Sequence, residues 1–255
     1  TSTAYISDFK SKNLTVNSGD DVQINNSTID GTLKATAGKL NPNMKGSDNK
    51  KNAMFFMKDS KVSNDLEVET KNGAIHIAGG SIGQNATLTA DTEGVNSGNI
   101  IIGYNGDDAN NVTAKNSTSI GGTIKAKSNL WLKAFSEGKL NFKDSDIKQN
   151  MDVVSNGQVK VDNSHIGQDL TVKAKRLYTN WGVTDPSIKT KVDGNLDVET
   201  NLNASLEHVE VGNDATVTTG LTSHAPNGSV TSTAYISDFK SKNLTVNSGD
   251  DVQIN

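Results

Sequence analysis

The sequence has no cysteine, so disulfides and cysteine-ligated metals are excluded. It has only three prolines and a single arginine, Arg176; the other 24 of its 25 basic residues are lysine. Aromatic residues make up 5% and hydrophobic residues 33% of the 255 positions. Ordinary globular domains carry roughly 45–50% apolar residues, glycine included. No apolar run approaches the roughly 20 residues that a membrane-spanning helix needs, so this segment is not expected to insert into a membrane. The net charge of −4 argues against nucleic acid as a partner. No signal peptide stands at the start, which reads as the mark of an excised segment. So small an apolar fraction usually means disorder. Here the apolar residues recur at regular spacing, and that argues for a packed structure.

The longest regularity is a perfect repeat. Thr1–Asn25 reappears without change as Thr231–Asn255, an offset of 230 residues. Residues 1–230 therefore read as one long unit, and residues 231–255 as the start of an identical one in a tandem array. A duplicated cloning end is the plainer alternative.

A shorter period lies inside the long one. Apolar pairs separated by one residue include Leu14/Val16, Leu33/Ala35, Leu66/Val68, Ala86/Leu88, Val112/Ala114, Ile124/Ala126, Met151/Val153, Leu170/Val172, Leu196/Val198 and Ala215/Val217. A second series follows them: Val22/Ile24, Phe55/Met57, Ile75/Ile77, Ile100/Ile102, Leu140/Phe142, Val159/Val161 and Val209/Val211. Single apolar residues precede many first pairs: Ile29, Val62, Ile82, Ile120, Ile147 and Ile166. Alternation of this kind is the period of a strand, and no helical stripe is sustained anywhere. Each run is too short to bury a face alone. Stacked at about 4.8 Å, such runs form parallel sheets around one narrow core, which needs few apolar residues per turn. The expected fold is all-β: a right-handed parallel β-helix, or β-solenoid, with about ten coils in each long repeat.

Corners should carry Gly, Asn, Asp and Ser, which tolerate positive φ or bond to nearby backbone. The motif Asx-Ser-x-apolar recurs at Asn26-Ser27, Asp59-Ser60, Asp144-Ser145 and Asn163-Ser164. These positions are expected to stack as a polar ladder between coils.

The phrases Ile82-Gly-Gln-Asn-Ala-Thr-Leu-Thr-Ala and Ile166-Gly-Gln-Asp-Leu-Thr-Val-Lys-Ala resemble the short repeats of filamentous-haemagglutinin-type exoproteins, as do Asn13-Leu-Thr-Val and Gly194-Asn-Leu-Asp-Val. The resemblance covers most of the chain apart from the insertions. It implies two-partner secretion, an extracellular β-helical fibre, and a role as adhesin, biofilm component or contact-dependent toxin stalk. The family's amino-terminal secretion domain is absent from these residues.

Function beyond architecture is expected in the insertions, chiefly Gly38–Ala53, Thr89–Asn99, Gly103–Asn111, Lys173–Lys191 and Gly220–Ser229. Lys173–Lys191 holds Arg176, Tyr178 and Trp181, a combination suited to a surface glycan or protein. Packing of Trp181 against the wall of the solenoid is the competing expectation. Lys45, Lys50 and Lys51 form a small basic run. None of His76, His165, His208 and His224 falls in a metal-binding spacing, and each is expected to point outward. The pairs Asp20-Asp21 and Asp107-Asp108 suit corner turns as well as a weak Ca²⁺ site. No metal and no cofactor is expected. Expected partners are adjacent copies of the repeat and a host or bacterial surface glycan or protein. The chain is not expected to be an enzyme. The alternative is a β-helical polysaccharide lyase or hydrolase, or a glycan-binding module, since fold alone does not fix function.

Overall fold

The structure is a computed structural model that describes residues 3–38, 54–94, 98–105, 114–220 and 232–255. The chain is all-β, with no helix among the described residues. It forms two compact units, Thr1–Phe135 and Ser136–Asn255.

In the first unit, strands pair in parallel along three ladders. One runs through Leu14–Asn17, Leu33–Ala37, Leu66–Thr70, Ala86–Ala90 and Ile124–Ser128. The register holds the apolar pairs in columns: Leu14 faces Leu33, Leu33 faces Leu66, Leu66 faces Ala86, and Ala86 faces Ile124. A second ladder runs from Ala4–Ser7 through Val22–Asn25, Phe55–Lys58 and Ile75–Ala78 to Ile100–Ile102 and the strand beginning at Leu132. The third consists of two-residue strands, Lys10–Ser11, Thr28–Ile29, Lys61–Val62, Ser81–Ile82 and Ser119–Ile120.

The second unit repeats the pattern. Its first ladder joins residues 151–155, 170–174, Leu196–Thr200, Asp214–Thr219 and Asn243–Asn247. Its second joins Leu140–Lys143, residues 159–162, 177–179, 204–207 and 234–236, and Val252–Ile254. Its third joins Asp146–Ile147, His165–Ile166, Thr190–Val192 and residues 209–211. Long strands such as Met151–Asp162 carry the chain from one ladder to the next through a register shift between Ser155 and Gln158.

Alternation puts every second side chain inside. Val22, Ile24, Phe55, Met57, Ile75 and Ile77 are fully buried, as are Phe142, Val159, Val161 and Leu177. Burial of such a side chain stabilises by about 1.5–3 kcal/mol, which explains how brief strands hold once they are stacked. The single apolar residues Ile29, Val62, Ile82, Ile120, Ile147 and Ile166 take buried positions of the third ladders, as do Val192, Val209 and Val211.

Three details differ from expectation. Val209/Val211 belongs to the third ladder and not to the second, where Ala204 and Leu206 stand instead. The inward positions beneath them are Leu177 and the buried Thr179, and a threonine there hides the apolar alternation. The pair Val112/Ala114 is not a rung: Ala114–Lys115 is exposed and antiparallel to Tyr104–Asn105, and Val112 lies outside the described residues. Finally, the expected insertion at Lys173 starts later, because the strand Leu170–Thr179 continues through it.

Candidate functional site

The Asx-Ser corners connect the second and third ladders. Asn26, Asp59, Asp144 and Asn163 have φ of 47, 48, 53 and 44°, the left-handed region that Asn and Asp tolerate best among non-glycine residues. The serine that follows is buried. Ser27 Oγ accepts from Phe9 N at 3.2 Å and donates to Asn25 O at 2.8 Å. Ser60 Oγ accepts from Ser27 N at 3.0 Å and donates to Lys58 O at 2.8 Å. In the second unit Ser164 Oγ accepts from Ser145 N at 3.2 Å, Ser145 Oγ reaches Lys143 O at 3.5 Å, and Asn163 Nδ2 donates to Asp144 Oδ1 at 2.7 Å. The hydroxyls of Ser27, Ser60 and Ser164 thus each satisfy an N–H left free where the backbone turns.

A second polar column escaped the sequence reading. It stands one residue before the first-ladder strands. Asn13 Oδ1 accepts from Thr32 N at 2.9 Å, and Asp65 Oδ1 from Asn85 N at 3.0 Å. In the second unit the links run Asn150 to Asp169, Asp169 to Asn195 and Asn195 to Asp214, at 3.2, 2.7 and 3.3 Å from carboxyl or amide oxygen to backbone N–H. In the second unit Asn and Asp alternate along it and no two carboxylates are adjacent; in the first, Thr32 and Thr123 take two of the positions. Asn85 and Asn195 each donate an amide N–H to the carboxylate of the rung before. Glycine precedes the column at Gly31, Gly122 and Gly194. A Cβ there would lie 2.1, 2.5 and 2.4 Å from the Asx oxygen of the neighbouring rung. An Asx immediately before an apolar-x-apolar triplet was the available signal.

The structure brings Tyr178 and Trp181 together, with ring centroids 5.3 Å apart and planes at 42°. Trp181 is 61% exposed, so it does not pack against the wall of the sheet. Arg176 and Tyr178 alternate with the buried Leu177 and Thr179 and share the outward face of one strand. Arg176 lies beside Gln158, and Tyr178 between Lys160 and Ser205. The three residues form an outward strip of one cation and two aromatic rings, a surface able to stack on a sugar or clamp a peptide.

His208 adjoins this strip. Its φ is 52°, so it occupies a corner position otherwise taken by Asx or Gly. Nδ1 lies 2.6 Å from Asp238 Oδ2 and Nε2 lies 3.0 Å from Val183 O. Hydrogen bonding to Asp238 raises the imidazole pKa, and the same bond lowers that of Asp238. Lys189 and Glu210 pair at 2.9 Å and shift each other likewise, the lysine up and the glutamate down. The Ser187 hydroxyl lowers Asp185.

The other histidines diverge. His165 stands between Asp146 and Asp193, at 3.4 and 2.9 Å. His76 stands on the outer face of its strand, between the inward Ile75 and Ile77, but is buried there: its ring meets Phe56 edge-on at 5.0 Å and Nε2 lies 2.6 Å from Tyr104 O. His224, Asp107, Asp108, Lys45, Lys50 and Lys51 lie outside the described residues. Asp21 Oδ1 accepts from Met54 N at 2.8 Å, a corner role. No group of three or more His, Asp or Glu able to hold a metal occurs among the described residues.

Comparison with protein-family models, curated proteins and solved structures finds no match to this chain.

Proposed function

We propose that this chain is a stretch of the stalk of a secreted bacterial surface fibre, wound as a right-handed parallel β-helix. On this reading the stalk serves adhesion, biofilm or cell–cell contact, is exported by two-partner secretion and has no catalytic role. The observation that carries it is the union of the 25-residue identity, repeated at an offset of 230 residues, with the ladders. Ala4–Ser7 pairs with Val22–Asn25, and its twin pairs with Val252–Ile254 in the same register. A fold that restarts in register at each repeat gains length with every copy.

Winding is favoured over a closed barrel because, among the described residues, each ladder runs on through successive rungs without returning to its first strand. Crossover connections between parallel strands are overwhelmingly right-handed, which supports the hand. Ten coils at about 4.8 Å would add roughly 48 Å per repeat. Electron microscopy of chains with two, three and four repeats tests this directly. Rods lengthening by that step support the stalk; globular particles of growing diameter oppose it.

The exposed Tyr178–Trp181 pair favours a second reading, a glycan-binding module. Release of oligosaccharides from a polysaccharide panel would instead point to a lyase or hydrolase.

A further inference from the structure

Residues 3–25 and 233–255 have one sequence and two environments. In the first copy, Ala4–Ser7 pairs along one edge only among the described residues, with Val22–Asn25. In the second copy, Ala234–Lys240 pairs along both edges, with Val252–Ile254 and with Ala204–Val211. Burial follows. Ala234 and Ile236 are fully buried, whereas Ala4 and Ile6 are half-buried. On the other edge the order reverses: Val22 and Ile24 are fully buried beneath Phe55 and Met57, whereas Val252 and Ile254 are 45% and 60% exposed. The two copies together display a coil covered on both sides.

Resting on the fibre reading, we propose that residues 3–25 are the receiving coil of every repeat, docking on residues 204–219 of the copy before it. The register is the one seen at the second copy: Ala204 to Ala4, Val209 to Phe9 and Ala215 to Leu14, as read from Ala204 to Ala234, Val209 to Phe239 and Ala215 to Leu244. Four side-chain links fix it. His208 Nδ1 meets Asp238 at 2.6 Å, the twin of Asp8. Lys242 Nζ, the twin of Lys12, donates to Asn213 Oδ1 at 2.6 Å. Asn243 Nδ2, the twin of Asn13, donates to Asp214 Oδ1 at 2.8 Å and prolongs the alternating Asx column across the joint. Ser248, the twin of Ser18, shares a hydrogen bond with Thr219 at 2.9 Å. The occupant of the free edge at Ala4 is thus a second copy of this repeat. Asp8, Lys12 and Asn13 are groups held ready for it.

The identical sequences supply their own control. Asp8→Asn and Asp238→Asn are the same chemical change at twin positions of the full 255-residue chain. Asp238→Asn should lower the thermal midpoint; Asp8→Asn should leave it where it is. In the unaltered chain, amides 235–237 should exchange about tenfold or more slowly than amides 5–7, whose intrinsic rates are the same. Equal midpoints for the two variants, or equal exchange in the two copies, overturns the docking coil. Engineered cross-links between Thr171 and Asp197 report the parallel winding independently. Their failure would sink the fibre reading, whereas loss of the copy-to-copy difference with those cross-links intact sinks only the joint.

Discussion

Asn195 Nδ2 donates to Asp169 Oδ1 at 3.1 Å, while Asn195 Oδ1 accepts from the backbone N–H of Asp214. One amide therefore serves as spacer between two carboxylates in the column. Asn195→Asp would set three carboxylates in succession. We expect a loss of about 1 kcal/mol near pH 7, regained below about pH 4 as the acids protonate. Urea unfolding at the two pH values checks it.

Buried Ser60 should matter more than its size suggests. Its hydroxyl receives the Ser27 N–H, and Ser60→Ala would leave that buried donor without its acceptor. A cost of about 1–3 kcal/mol is expected, against near-neutrality for Ser7→Ala, whose hydroxyl bonds the exposed Asp8 carboxylate. Chemical denaturation of the pair of variants decides it.

Phe142 is fully buried opposite Val161. Phe142→Ala should cost about 3–5 kcal/mol, because flanking rungs are fixed by their ladders and close poorly on a cavity. Trp181→Ala should shift the same denaturation curve by under about 0.5 kcal/mol, because the ring is largely in water. The same variant should lose retention on a surface-glycan array if the aromatic strip binds sugars.

The His208–Asp238 pair gives stability a pH dependence of known sign. A raised imidazole pKa contributes fully below the unfolded value of about 6.5 and is lost as pH rises through the folded value. The lowered carboxyl contributes above its unfolded value of about 3.9 and is lost as pH falls through the folded one. Glu207 and Asp185 also act on His208, and Lys189 on Asp238. The difference in thermal midpoint between the unaltered chain and Asp238→Asn should be greatest between about pH 4.5 and 6 and should shrink in alkali. A difference that grows with pH would contradict the pairing.

Much of the architecture was legible because alternation at Leu14/Val16 or Phe55/Met57 has one physical outcome, a strand with one side inside. Asn26, Asp59, Asp144 and Asn163 were legible for a related reason, since Asx before Ser suits a left-handed corner. What stayed hidden was polar and buried. Thr179 faces the core because its hydroxyl donates to Glu207 O at 3.2 Å, and such a residue breaks an apolar count without breaking the strand. Buried His76 was missed likewise, because its edge-on partner Phe56 lies 20 residues away in sequence, in the neighbouring rung. The aromatic strip was half legible: the sequence placed Tyr178 and Trp181 close together but could not tell an exposed ring from a packed one.

Parallel pairing is tested most directly by cysteine pairs, for which a cysteine-free chain is a clean background. Thr171 faces Asp197 in the parallel register. If the same two strands ran antiparallel about the same centre, Thr171 would face Glu199. Cα atoms must lie within about 7 Å to bridge without distortion. Thr171→Cys with Asp197→Cys should oxidise readily to a disulfide in the folded chain, and Thr171→Cys with Glu199→Cys should not. The opposite outcome would contradict the parallel ladders on which the fibre rests.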